Sequence, residues 1–227
     1  IDHKNIRLIP KKKVKEILYK KNLWVIDCQD STEFISSNLV FCNSFALREI
    51  KFFDGIDLKK NRGQINWFPS KNKSKFKEII SGNGYLIPDV DGFDIFGSTY
   101  ERDNENKNLS KTDYEKNLKT YQKLSGTKSE EYNVPNEGWV GWRAVTPDRI
   151  PYVGNVLEES NGIDNKPLSM KDLKWHPNLF INAGYGSRGY TLAPFLSKCL
   201  ASMINGTPTS DEKNILNYLN PCRNLIK

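Results

Sequence analysis

Histidine is almost missing: His3 and His176 are the only two in 227 residues. So little imidazole excludes the base that serine and cysteine hydrolases depend on. Cys28, Cys42, Cys199 and Cys222 share no paired spacing, so no structural zinc set is expected and no metal. Cys42 and Cys199 lie in apolar runs and are expected to be buried free thiols, as in a reducing cytoplasm. No apolar run reaches the length of a membrane span, and no secretory leader is visible. The expectation is therefore a cytoplasmic protein with no membrane among its partners. No internal repeat is present. The chain opens at Ile1 rather than methionine, which predicts a processed chain or part of a longer product.

What is present suits a folded protein of one large or two small units, with 37% hydrophobic and 11% aromatic residues. The net charge is +7. Lysines gather at Lys11 to Lys15, Lys20 and Lys21, Lys59 and Lys60, and Lys71 to Lys77, with Trp67 and Phe68 between the last two groups. That mixture is what a nucleic-acid surface uses. A Lys-, Asn- and Ile-rich composition fits genomic nucleotide bias as well, and both readings stay open.

Leu23 to Cys28 and Leu39 to Asn43 read as strands joined through Asp30 to Glu33. Gln64 to Phe68, Gly84 to Pro88 and Phe93 to Tyr100 read as strands of one antiparallel sheet, the last two a hairpin through Asp89-Val90-Asp91-Gly92. Thr112-Asp113-Tyr114-Glu115 has the form of a capping box opening a helix with Tyr114, Leu118, Tyr121 and Leu124 on one face. Those aromatics read as core. Gly126 to Asn136 is polar and loop-like, and Asn155 to His176 reads as a long surface insertion. Ser210 is placed to cap a final helix carrying Ile215, Leu216 and Leu219.

The most informative stretch is Gly184-Tyr185-Gly186-Ser187-Arg188-Gly189-Tyr190-Thr191-Leu192-Ala193-Pro194. It follows an apolar run, Asn178 to Ala183, and precedes Leu192, Leu196, Cys199, Leu200 and Met203 at helical spacing. Glycines at a strand-to-helix corner let the backbone approach something flat or anionic, with helix amides aimed at it. A tight corner with no ligand is the other reading. Upstream, Gly141-Trp142-Arg143 ends a strand and turns through Pro147-Asp148-Arg149-Ile150-Pro151-Tyr152-Val153-Gly154.

The two segments together resemble the C-terminal half of the FAD-dependent amine oxidases that act on glycine, sarcosine and D-amino acids. In that family "R-x-x-x-P-D-x-x-P-x-x-G" is followed by "G-x-G-S-x-G-x-x-x-A-P" opening the last long helix. Arg62-Gly63-Gln64, Gly84-Tyr85-Leu86-Ile87-Pro88, Gly97-Ser98-Thr99-Tyr100 and Leu219-Asn220-Pro221-Cys222-Arg223 extend the likeness. They draw it closer to the FAD domain of the bifunctional bacterial enzymes that build methylaminomethyl-thiouridine at the tRNA wobble position. Ser44, after Val40-Phe41-Cys42-Asn43, stands where relatives carry Gly. The "G-x-G-x-x-G" segment that holds the ADP half of FAD is not in this chain.

The resemblance implies an α+β or α/β fold: an antiparallel substrate-binding sheet plus the C-terminal part of a Rossmann-like FAD domain, with the N-terminal dinucleotide cradle missing. Residues 1–62 would end an inserted hairpin region and return a strand to the flavin domain. Residues 63–145 would form the substrate sheet with its helix, and 146–227 the flavin-contacting segment. FAD is the implied cofactor, held by Gly184, Gly186, Ser187, Arg188, Gly189, Tyr190 and Thr191. Arg143 and Arg188 are implied to grip a substrate carboxylate, since a guanidinium fork matches one. Their alternatives are a surface ion pair with Asp148 for Arg143, and a helix-capping or RNA-phosphate contact for Arg188. The implied partners are tRNA, the dinucleotide-binding half and a methyltransferase domain. The implied reaction moves hydride from the carbon between amine and carboxylate of a carboxymethylaminomethyl-uridine to the flavin, and the imine then hydrolyses to glyoxylate and aminomethyl-uridine. A small-molecule amine oxidase and a non-catalytic tRNA-binding remnant are the alternatives.

Overall fold

The computed structural model describes residues 4–53, 56–70, 76–127, 137–158 and 173–223. Lys21 and Asn22 both take left-handed φ values, 50° and 64°. They fold β1 (Val14–Lys20) back on β2 (Leu23–Cys28) as a tight two-residue hairpin. β3 (Glu33–Ser36) pairs antiparallel with β2. The turn expected at Asp30 to Glu33 thus leads into an intervening strand, β3, rather than straight to Leu39. β4 (Leu39–Phe41) leaves for a different sheet, while β1 grows out of a run read only as charge. Its Ile17 and Tyr19 pack inward against the core around Trp24. Trp24 is fully buried, and its Nε1 donates to the Pro177 carbonyl at 2.9 Å, fastening this small sheet to the rest of the fold.

A six-stranded antiparallel sheet follows. It is built from β5 (Lys59–Pro69), β6 (Ile80–Gly82), β7 (Gly84–Val90), β8 (Phe93–Gly97), β9 (Glu101–Arg102) and β10 (Gly138–Val145), in the order β10-β5-β8-β7-β6 with β9 also on β5. α1 (Lys111–Ser125) packs on one face, where Phe68, Phe96 and Tyr121 meet at centroid separations of 4.8 to 5.2 Å. Each such pair adds about 0.5–1.5 kcal/mol beyond its buried area. Phe68 therefore belongs to the core rather than to a nucleic-acid surface. Ser110, not Thr112, caps α1, accepting from the Asp113 amide.

Between helix and sheet lies a buried polar layer. Asn117 Nδ2 donates to the Gln64 carbonyl (2.8 Å) and to Asn66 Oδ1 (2.9 Å), and Gln64 Oε1 accepts from the Ser110 amide (2.8 Å). Beside it the Arg62 guanidinium is buried against Asp113, with Glu101 at 3.5 Å and the Asn106 and Asn108 carbonyls at 2.8 Å. The Arg62-Gly63-Gln64 motif thus owes its outer two residues to fastening α1 and the 101–110 loop onto β5.

The third sheet runs β11 (Tyr152–Leu157), β12 (Trp175–Ala183), β4, with β12 and β4 parallel. The insertion expected at Asn155 to His176 is shorter than read, because β11 continues to Leu157 and β12 begins at Trp175; residues 159–172 lie outside the described residues. So does most of the expected 126–136 loop. α2 (Gly189–Ile204) and α3 (Ser210–Leu219) cover this sheet through Val153, Phe180, Leu196, Cys199, Leu200, Leu216 and Leu219. Thr209, not Ser210, caps α3, in a reciprocal box with Glu212. The whole is a mixed α/β architecture of antiparallel sheets joined to a parallel strand pair with helical cover. Among the described residues no helix is long and apolar enough to cross a membrane.

Candidate active site

The site forms where the end of β10 meets the turn after β12. Val145 bridges Tyr185, and the Gly186 amide donates to the Ala144 carbonyl at 2.9 Å. Gly184 and Gly186 carry left-handed φ values of 81° and 57°. A Cβ at Gly184 would come within 2.7 Å of Thr146 Cγ2, so this corner admits only glycine. Arg188 is the N-cap of α2, yet no side chain caps the helix and no acidic residue occupies its first turn. The opening amides and the positive helix end therefore stay available to an anion or an electron-rich edge.

Two clefts share the Gly184–Gly186 turn as a wall. One, about 410 Å³, is lined by Tyr100, Val145, Arg149, Ser187 and Arg188 besides the turn. The other, about 190 Å³, is lined by Cys42, Ser44, Trp142, Arg143, Ala144, Asn182 and Ala183. Arg143 and Arg188 thus belong to neighbouring clefts rather than to one pair of jaws. Cys42 is exposed at the second cleft, which corrects the expectation of a buried thiol. Strand alternation explains it: Phe41 turns into the core, so its neighbour turns out. Ser44 holds a left-handed φ of 53°, so the backbone there keeps a conformation glycine adopts more easily.

Arg143 does not pair with Asp148. Its Nη2 donates to Ser98 Oγ at 2.5 Å, its guanidinium stands 5.9 Å from the Tyr100 ring centre, and its buried Nη1 has no partner among the described residues. Burial pushes the neighbouring Tyr85 phenol up, against the opposing pull of the Arg143 charge and the Ser98 bond. Arg188 is exposed, and its Nη2 donates to the Arg149 carbonyl at 2.7 Å. Tyr190 is fully exposed and Thr191 is exposed, both at the start of α2. Tyr185 donates to Asn182 Oδ1, and burial raises its phenol to about 12, so it stays protonated at neutral pH.

Asp148 instead binds Arg223 through two contacts of 2.8 Å, and Arg223 also donates to the Ile150 carbonyl at 2.7 Å and lies over the Tyr152 ring. The Arg223 bond holds the Asp148 carboxyl down at about 2. This clamp fixes the 146–151 turn whose Arg149 carbonyl anchors Arg188. Ser98, Tyr85, Arg149 and Arg223 were not singled out as site or support residues from sequence. Only the strand register brings the first two, more than 40 positions away, against Arg143. Of the lysines, Lys12 pairs with Asp30 at 2.5 Å and Lys60 with Glu105 at 3.3 Å, while Lys71, Lys73 and Lys75 lie outside the described residues.

Comparison with known proteins adds an independent view. A family model described as FAD dependent oxidoreductase matches residues 2–203. The chain is 31% identical over 221 residues to a tRNA 5-methylaminomethyl-2-thiouridine biosynthesis bifunctional protein MnmC of Leptospira borgpetersenii, covering 90% of this chain and 34% of that protein. It is 30% identical over 204 residues to the protein of the same name from Pseudoalteromonas atlantica, covering 83% and 28%. The chain thus spans about a third of the length of these curated relatives. Among solved structures, glycine oxidase from Geobacillus kaustophilus shares the fold with a TM-score of 0.63 at 16% identity, over 88% of this chain and 49% of that one.

Proposed function

The chain belongs to the FAD dependent oxidoreductase family, and from that premise we propose that it supplies the substrate side of a tRNA-modifying oxidase. The reaction is oxidation of the carboxymethylaminomethyl group of a wobble uridine, releasing glyoxylate and leaving aminomethyl-uridine. The observation that carries this reading is Arg143, one nitrogen held by Ser98 and the other buried without a partner among the described residues. A buried donor left unpaired costs about 1–3 kcal/mol, more when charged, and a substrate carboxylate would remove that cost. The side chain of the proposed uridine is an N-substituted glycine and ends in such a carboxylate. The names of the curated relatives support tRNA as its carrier.

The residues of the turn fit FAD. Glycines without side chains at 184 and 186 and an uncapped helix end without acidic neighbours suit a flat ring with an electron-rich edge. We assign Gly184, Gly186, Ser187, Arg188, Gly189, Tyr190 and Thr191 to that contact. FAD, when bound, supplies the acceptor for the hydride. Arg143 holds the carboxylate and so fixes the carbon next to the amine. Arg188, tethered to the Arg149 carbonyl, adds positive charge to the larger cleft. Neither cleft is lined by a carboxylate or an imidazole among the described residues. The amine therefore loses its proton to solvent before reaction. Residues 63–145 act as the substrate-binding unit and 146–227 as the flavin-contacting one. The dinucleotide-holding half is the further part this reading requires.

The test is glyoxylate release, with mass analysis of the wobble nucleoside, in enzyme assembled with its dinucleotide-holding half. Carboxymethylaminomethyl-tRNA is expected to be consumed while free glycine is not. Turnover of free glycine without tRNA would replace this reading with a small-molecule amine oxidase.

A further inference from the structure

We propose that Trp139 is a stacking platform for the pyrimidine ring that bears the oxidised side chain, and so selects a nucleoside over a free amino acid. The proposal rests on the tRNA-uridine reading above.

Trp139, Gly141 and Arg143 alternate along β10 and project from one face. It is the face turned away from α1. Register places Trp139 opposite Ile65 and Gly141 opposite Gly63, whereas Phe68 and Phe96 meet the helix from the other side. On this open face Trp139 is 62% exposed. Its indole nevertheless has a defined seat, because a Cβ at Gly141 would lie 2.2 Å from its Cη2 and 2.3 Å from its Cζ3. The ring therefore rests on bare backbone. Gly63, directly across, does the same for Arg143: a Cβ there would lie 2.3 Å from Nη1. Two glycines in register thus form a floor without side chains, the indole lying on one and the guanidinium on the other. One indole face is supported from below and the other is open. Trp67, the other tryptophan on this face, has its Nε1 committed to Glu137 at 3.1 Å.

The spacing suits one ligand. The indole lies on Gly141 and Arg143 Nη1 on Gly63, and these two glycines face each other across neighbouring strands about 4.8 Å apart. A pyrimidine C5 substituent of the form CH2–NH–CH2–COO⁻ reaches roughly 5 Å from ring to carboxylate carbon, from ordinary bond lengths. A ring stacked on Trp139 thus brings its carboxylate to the Arg143 guanidinium. Stacking on an aromatic side chain accepts any base but demands that one be present. A free N-alkylglycine uses Arg143 alone.

The experiment is calorimetric binding of two probes, 5-carboxymethylaminomethyl-uridine and sarcosine, with saturating FAD, to enzyme assembled with its dinucleotide-holding half and carrying the unaltered chain, Trp139→Leu or Trp139→Tyr. Trp139→Leu is expected to weaken the nucleoside about tenfold or more and leave sarcosine unchanged, and Trp139→Tyr to restore most of the loss. Equal nucleoside binding by unaltered protein and Trp139→Leu overturns the stacking role while the uridine reading stands. Loss of both probes together in Trp139→Leu overturns it in favour of a structural role. An unaltered protein that binds the nucleoside no better than sarcosine overturns the uridine reading, and this inference with it.

Discussion

A methyl group at Gly63 would occupy the space in which Arg143 lies. In Gly63→Ala the new Cβ would stand 2.3 Å from Arg143 Nη1 and 2.9 Å from the Thr99 carbonyl oxygen, where ordinary contact begins at 3.4 Å. The guanidinium is the end of a flexible side chain and gives way first, by about 1 Å, which breaks its 2.5 Å bond to Ser98. The Thr99 carbonyl is less free, since the Thr99 amide and hydroxyl are both bonded to the Gln64 backbone at 3.1 and 3.0 Å. Overpacking of this kind costs about 1–3 kcal/mol. For a chain of this length that lowers Tm by roughly 2–12 °C. A 1 Å displacement of a positioning group costs on the order of 100-fold in rate. The decisive measurement is a thermal-unfolding cycle of Gly63→Ala, Arg143→Ala and the double variant, with sarcosine affinity recorded on each. Without the guanidinium the methyl loses its nearest clash, at 2.3 Å, so alanine is expected to cost less in the Arg143→Ala background. Costs that add within about 0.5 kcal/mol, or a Gly63→Ala protein with undiminished affinity, would refute the packing of Arg143 on that glycine.

Asp113→Asn is expected to cost about 3–5 kcal/mol in denaturant unfolding, because it leaves the buried Arg62 guanidinium with Glu101, at 3.5 Å, as its remaining carboxylate. A loss below about 1 kcal/mol would contradict a buried pair there. The Asp148 carboxyl sits at about 2 in the folded chain against an ordinary 3.8, chiefly through its bond to Arg223. A lowered folded value means the unfolded chain binds the proton more tightly. The stabilisation is therefore complete above about pH 4 and disappears as pH falls through about 2. The carboxylate is partly exposed, so screening holds the contribution to about 1 kcal/mol. Arg223→Met should remove this part of the acid dependence, and an unchanged pH profile of unfolding would show the clamp to be idle.

The elements legible in the sequence were those whose signal is local. Leu192, Leu196, Cys199 and Leu200 mark α2 by spacing alone, and the glycine corner before it marks the end of β12. β1 was hidden because Lys11 to Lys15 reads as part of a nucleic-acid surface or as composition bias, although lysines are what an outer strand such as β1 carries to discourage further pairing. Helix starts were found within two residues but the caps were misassigned. Ser110 and Thr112, like Thr209 and Ser210, offer the same hydroxyl, and only the backbone decides which one turns toward the free amides.

Arg143 was legible as a candidate, but its environment was not. Nothing local to Arg143 announces Ser98, Tyr85 or Gly63, because antiparallel register rather than sequence proximity brings them together. Gly63 and Gly141 show this most clearly. Each alone reads as a weak point in a strand, a residue with no side chain to pack and extra entropy to lose. Opposite one another they become a single surface on which a guanidinium and an indole rest, a property that neither glycine has by itself. In the proposed site, the positions of the indole and the guanidinium therefore depend on where side chains are missing as much as on where charges are placed. A change at either glycine is expected to displace the group that rests on it, and so to weaken ligand binding.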